Sequence, residues 1–124
     1  MIPQNLILLL LSGFLILSLM PEIHPSAIVS DEAHLADDVT VGPFAIIDAG
    51  VKIGTGCTIG AQAWITGCTV MGEDNHIGYG SIIGADPQDA SFDPTLNSNV
   101  VLGNGNRIRE YVTIHRSTAE TGST

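Results

Sequence analysis

Basic residues are scarce in this chain. Four Lys+Arg stand against thirteen Asp+Glu, giving a net charge of −9, and no Lys or Arg precedes Lys52. Such a balance repels polyanions, which excludes nucleic acid and anionic lipid headgroups as the main partner of this stretch and disfavours acidic proteins as well. Cysteine is nearly absent: Cys57 and Cys68 stand eleven residues apart, matching neither a CxxC redox pair nor a zinc ribbon. Both read as reduced packing residues of a cytosolic chain. An apolar run long enough to span a bilayer as a helix is also lacking. Leu6 to Met20 (LILLLLSGFLILSLM) covers fifteen residues, where a spanning helix needs about 20. It has the length of a signal-peptide core but neither a basic n-region nor a small-residue cleavage site. The 1–22 stretch therefore reads as an apolar N-terminal extension. It is either a membrane-surface anchor or sequence upstream of a start at Met20, and a membrane is a partner only if residues 1–20 are genuine.

At 124 residues and 13.0 kDa the chain is one domain's worth. From Ile23 to Ile83 an aliphatic residue stands at every sixth position: Ile23, Val29, Leu35, Val41, Ile47, Ile53, Ile59, Ile65, Met71, Ile77 and Ile83. A period of six fits neither a helix nor the alternation of a simple strand, and a fixed self-similar period marks a solenoid. The second residue of each unit is often Gly, and the fifth is small or medium-sized except at Asn75. Four residues apart, the aliphatic and the small residue both point inward along short extended segments, with Gly supplying turn conformations between them. Three units per triangular coil would stack residues eighteen apart into columns, the coils lying about 4.8 Å from one another. Glycines at Gly54, Gly60, Gly103 and Gly105 recur with the repeat, and no strand–loop–helix unit surrounds them, so they are corners and not phosphate loops.

After Ile83 the frame breaks. It resumes at Leu102, Ile108 and Ile114, nineteen residues on instead of eighteen, so the stretch at about 85–101 reads as looped out of a β-helix domain covering 23–124. A connection of this length without periodicity suggests function.

The repeat resembles the hexapeptide-repeat superfamily, whose fold is a left-handed parallel β-helix; the handedness comes from that resemblance alone, since general connection rules favour the opposite hand. IHPSAIV at 23–29, VGPFAII at 41–47, the loop Gly84-Ala-Asp-Pro-Gln-Asp89 and above all NRIREYVTIHRST at 106–118 narrow it. They look like the UDP-N-acetylglucosamine O-acyltransferases that open lipid A biosynthesis. The resemblance implies an all-β cytoplasmic homotrimer with sites between subunits. Its substrates are UDP-N-acetylglucosamine and an acyl carrier protein thioester, and it needs no cofactor or metal. It places the sugar-nucleotide contacts on Gln88 and Asp89, whose amide and carboxylate suit sugar hydroxyls and an acetamido group. Where the family usually has Leu-Lys after this pair, the chain has Ala90-Ser91, without the lysine that could face a diphosphate.

Arg107, Arg109 and Arg116 cluster with His115 along the sequence. The two former read as solvated or ion-pairing residues, and His115, just outside the aliphatic column, as a substrate neighbour. His24, His34 and His76 read as surface residues near corners. None of the four histidines forms the HxxxxH pair of a zinc anhydrase built on the same repeat. Thioester acyl transfer needs a general base and oxyanion donors. In the family the base is a histidine of an Ala-His-x-x-His-Asp segment, expected beyond Thr124, so the β-helix reads as incomplete at its C-terminus and the chain alone as inactive. The alternative is a non-catalytic trimeric scaffold or decayed remnant.

Overall fold

The computed structural model describes residues 6–11 and 14–124, with side chains from Met20 onward. Leu6–Leu11 and Phe14–Leu19 pair as antiparallel strands, Leu6 opposite Leu19 and Leu11 opposite Phe14. Those two segments of the apolar run are thus strands, and among the described residues no helix is long and apolar enough to cross a membrane.

From Glu22 onward the chain winds through three parallel sheets in turn. The first contains Glu22–Ile23, Thr40–Val41, Thr58–Ile59, His76–Ile77 and Arg107–Ile108. The second contains Ile28–Val29, Ile46–Ile47, Trp64–Ile65, Ile82–Ala85 and Thr113–His115. The third contains His34–Leu35, Lys52–Ile53, Val70–Met71 and Val101–Leu102. Each strand pairs with the one directly above it, Val41 with Ile59 and Ile59 with Ile77. The expected columns therefore exist, and they form the core: Ile47, Ile59, Ile65, Ile77 and Ile83 are essentially inaccessible to solvent. The fifth-position residues Val39, Ala45, Val51, Cys57, Ala63, Thr69, Asn75 and Ser81 are buried beside them. Alternation within two-residue strands aims Ile28, Trp64 and Val101 outward instead, and all three are exposed. His34 and His76 occupy the same outward strand positions, on the surface as expected but on strands and not at corners.

Each corner is a turn over residues two to five of the unit. In most of them the fifth N–H donates to the second carbonyl, as from Ala33 to Ser30 at 3.0 Å and from Ala27 to His24 at 2.9 Å. From Phe44 to Gly80 the fourth residue has positive φ: Gly50 at 80°, Gly56 at 74° and Gly80 at 69°, but also Phe44 at 59° and Gln62 at 60°, whereas Ser26, Glu32 and Asp38 in the first coils do not. At Phe44 this is type II geometry, with Pro43 at the position where that turn favours proline.

The second-position glycines serve another purpose than the one expected of them. A Cβ at Gly60 would stand 2.7 Å from the Tyr79 nitrogen, and one at Gly54 2.5 Å from the Gly72 oxygen. They are glycine because the next coil's backbone lies too close for a side chain. Gly84 alone among these second-position glycines also has positive φ, 92°, and it sits where the pairing of the second sheet shifts register.

Cys57 is buried, as expected, whereas Cys68 is exposed. Cys68 takes the outward fourth position of its turn, φ 55°, so it does not pack in the core. Polar atoms in the core are all paired among the described residues. Asn75 donates from Nδ2 to the Gly103 carbonyl at 2.7 Å, and its Oδ1 accepts from the Asn106 backbone and side chain at 2.9 and 3.0 Å.

Gly60→Ala is expected to destabilise the chain by about 1–3 kcal/mol through overpacking. Gly103→Ala, where an added Cβ meets nothing within 4 Å, is expected to be neutral or stabilising by up to about 1 kcal/mol. Urea denaturation of both variants checks this.

Candidate functional site

The break in the repeat is an insertion into an unbroken coil. Met71 pairs with Leu102, Ile77 with Ile108 and Ile83 with Ile114. Stacked partners here stand 31 residues apart instead of 18, so thirteen residues leave the coil and every column resumes above its predecessor.

What shapes the insertion is Arg116, whose side chain is only 10% exposed. Its Nε donates to Asp86 Oδ1 at 2.8 Å, Nη1 to the Leu96 carbonyl at 2.6 Å, and Nη2 to the Pro94 carbonyl at 2.8 Å. Nη1 also reaches the Ser98 carbonyl and hydroxyl at 3.4 and 3.3 Å. The guanidinium carbon lies 4.9 Å from the Phe92 ring centroid, a cation–π contact. One arginine on the coil thus holds the start, the tip and the return of the loop. Ser98, buried, ties the return to the coil by donating to the Ser117 carbonyl at 2.6 Å.

Within the loop, Asp89 Oδ1 accepts from the Ser91 N–H at 2.9 Å and from the Ser91 hydroxyl at 2.8 Å. The backbone bond first, and then the hydroxyl, hold the Asp89 carboxyl below the usual carboxylate range. Asp93 and Thr95 repeat the same turn. Gln88 and Asp89 are both exposed at the loop surface.

His115 is half-buried at the base of the insertion, paired in the sheet with Ala85. Its Nδ1 lies 2.9 Å from the Asp86 carbonyl. A carbonyl can only accept, so Nδ1 bears a proton, and it is Nε2 that can accept in the corresponding neutral tautomer.

The structure divides the basic cluster expected from the sequence. Arg116 and His115 meet the insertion. Arg107 lies on the first sheet beside His76. Arg109 makes an exposed ion pair with Glu110 at 3.3 Å, worth little in water. Sequence reading missed the anchoring role of Arg116; its one signal was a lone arginine directly after the final aliphatic strand, stacked over the start of the insertion. No group of three or more His, Cys, Asp or Glu that could hold a metal occurs among the described residues.

Residues 32–67 match the family of bacterial transferase hexapeptides (six repeats). The acyl-[acyl-carrier-protein]–UDP-N-acetylglucosamine O-acyltransferase of Saccharophagus degradans is 43% identical over 103 residues, covering 82% of this chain and 39% of that protein. That of Campylobacter lari is 39% identical over 101 residues, covering 82% of this chain and 38% of that protein. Among solved structures, the UDP-N-acetylglucosamine acyltransferase of Francisella novicida superposes with a TM-score of 0.78 at 39% identity, over 82% of this chain and 37% of that one. The Campylobacter jejuni enzyme gives 0.77 at 36%, over 83% and 40%. The chain therefore spans roughly two fifths of the length of these relatives. The fold is the left-handed parallel β-helix, and the resemblance drawn from NRIREYVTIHRST holds across the shared stretch.

Arg116→Ala is expected to speed proteolysis within residues 86–98 by at least about tenfold, since charge-assisted hydrogen bonds are each worth about 1.5–3 kcal/mol. Arg116→Lys, able to keep the Asp86 ion pair but not the fork of carbonyl bonds, should fall between. A second expectation concerns Asp89. Its lowered pKa means that the Ser91 interaction stabilises the fold above the ordinary value of 3.8 and is lost as pH falls through the lowered one. Ser91→Ala should raise the Asp89 pKa in a carboxyl NMR titration.

Proposed function

We propose that this chain is the N-terminal, sugar-nucleotide-binding part of an acyl-[acyl-carrier-protein]–UDP-N-acetylglucosamine O-acyltransferase, acting in the cytoplasm at the first step of lipid A synthesis. The observation behind this reading is the insertion itself. It bears Gln88 and Asp89, is held on Arg116, and is flanked by His115, in a β-helix 36–39% identical to solved enzymes of that name.

In this reading the glucosamine 3-hydroxyl attacks the thioester carbonyl of a hydroxyacyl carrier protein. The sugar oxygen gains the acyl group, the carrier thiol leaves, and a base takes the hydroxyl proton. Gln88 offers both a donor and an acceptor to the acetamido group, and the second oxygen of Asp89 accepts from a hydroxyl. His115 Nε2 accepts a further hydrogen bond from the sugar. In this reading residues 1–124 bind the sugar nucleotide. Assembly as a homotrimer is part of the proposal. It is supported by the large apolar side chains left exposed along the edge between the first and second sheets, Ile28, Phe44 and Tyr111, each about two thirds exposed.

Isothermal titration calorimetry with UDP-N-acetylglucosamine tests the reading. Saturable binding is expected. Gln88→Ala and His115→Ala should each weaken it by about tenfold, the effect of one lost polar contact, with little change in Tm. No detectable binding by the unaltered chain would overturn the proposal.

A further inference from the structure

An open groove of about 620 Å³ runs along the outer face of the first sheet, lined among others by His76, Gly78, Tyr79, Arg107, Arg109 and Glu110. We propose that this groove receives the insertion of a second copy of the chain, the Asp93 carboxylate of one protomer meeting Arg107 of the next. The inference rests on the homotrimer of the reading above and names the surfaces that meet in it.

Charge is the first observation. Of the four Lys+Arg, Arg116 is spent inside the insertion, Arg109 pairs with Glu110, and Lys52 lies on the third sheet. Arg107 is exposed, and among the described residues it enters no ion pair and no side-chain hydrogen bond. His76 stands directly beneath it in the sheet register and adds an N–H donor. The insertion has the opposite character, since residues 85–100 hold Asp86, Asp89 and Asp93 and no Lys, Arg or His. Asp86 is taken by Arg116, and Asp89 belongs to the sugar contacts. Asp93 is exposed. Its Oδ1 accepts from the Thr95 hydroxyl at 2.7 Å and the Thr95 N–H at 2.9 Å, which sets the carboxylate in place and leaves Oδ2 to accept from a partner.

Height along the coil is the second. The groove spans the strands His76–Ile77 and Arg107–Ile108, and in chain order the insertion leaves the coil between them. Groove and insertion therefore share one level. Within a single chain they cannot meet, because the insertion springs from the corner between the second and third sheets and the first sheet lies across the coil from it. A rotation axis parallel to the coil, by contrast, keeps every level in register between copies. The third observation sets the orientation: exposed Ile28, Phe44 and Tyr111 mark the edge between the first and second sheets. With that edge on a threefold axis, the second sheet of each copy faces the first sheet of the next across an open wedge. The insertion rises from the outer margin of the second sheet, so it crosses the wedge at the level of the neighbour's Arg107. The contact is heterologous and closes after three copies. Opposite charges brought together there are partly withdrawn from water, where they count for more than an exposed pair.

Light scattering of the intact chain over a dilution series tests the contact, with calorimetric titration of UDP-N-acetylglucosamine in parallel. A trimer is expected. Arg107→Glu and Asp93→Arg should each move its dissociation to at least about tenfold higher protein concentration, and the double variant carrying both changes should recover most of that loss. Asp93→Asn, which keeps the Thr95 turn without the charge, should weaken the trimer in the same direction, and an unchanged far-ultraviolet circular dichroism spectrum shows that the coil is intact. If the trimer forms and Arg107→Glu and Asp93→Asn dissociate as the parent chain does, the contact is overturned and the homotrimer stands. If the single changes weaken the trimer and the double variant recovers nothing, the two residues do not meet and the contact is overturned. A monomer at every concentration overturns the contact and the homotrimer together, while saturable calorimetric binding by that monomer would leave the sugar-nucleotide reading standing.

Discussion

Every part of this molecule answers to one constraint, the backbone hydrogen bonding between successive coils. Strand N–H groups donate to carbonyls one coil away, Ile28 to Ala45 at 2.8 Å and Trp64 to Ser81 at 2.9 Å. The corners do the same: Gln62 donates to Pro43, Asp74 to Thr55 and Gly80 to Ala61, each at 2.9 Å. Since strands and turns are both stitched, each coil must copy the backbone path of its neighbour. That requirement keeps left-handed conformations at the fourth position even where the residue is Phe44 or Gln62, at a cost of about 1–2 kcal/mol apiece. At Gly42, Gly54, Gly60 and Gly78 it also brings the next coil's backbone too close for a Cβ.

Because the constraint acts on stacked positions and not on sequence neighbours, chain can be added between two units provided both rejoin the stack. The insertion uses that freedom at a single corner. Gly84, unable to accept a side chain against the Thr66 carbonyl, turns the chain out of the second sheet, and the buried Val100 returns it to the third. A thirteen-residue excursion without regular structure would otherwise be loosely held. Here two Asp-to-Ser/Thr turns stiffen it locally, and Arg116 fixes it globally. The surface carrying Gln88 and Asp89 is therefore an extension of the rigid coil, suited to presenting polar groups at set positions.

The columns were legible because a period of six, doubled by small residues at the fifth position, leaves few ways to bury Ile47, Ile59, Ile65 and Ile77 together. What escaped was anything decided by distance between coils. Glycine at the second position suggested a turn, since glycine's freedom is visible in sequence whereas a neighbour's oxygen 2.5 Å away is not. Cys68 resembled Cys57 in type, yet the two occupy the fourth and fifth positions of their units, and that single step separates solvent from core. Arg116 looked like one member of a basic cluster because Arg107, Arg109 and Arg116 are close in sequence. The coil sends the first two to another face and turns the third into the insertion. Gln88 and Asp89 could be singled out only through the resemblance, as nothing in their spacing reports the loop's shape.

Asn75 carries a further consequence. A solenoid of near-identical units has a threading problem: any aliphatic residue can occupy any column, so a chain collapsing with its upper coils displaced by one hexapeptide would bury almost the same apolar surface. The ambiguity is greatest across the insertion, where nothing in the core residues themselves counts thirteen. Asn75 does the counting. Its amide is fully buried, and it is satisfied by Asn106 and the Gly103 carbonyl. In a displaced stack another unit's backbone would replace two of these partners, but the Asn106 side chain would no longer stand above the amide, and that hydrogen bond, worth about 0.5–1.5 kcal/mol, would be lost. The one buried amide among the described residues, beside the small hydroxyls of Thr69 and Ser81, thus favours the correctly threaded coil over its near-degenerate competitors.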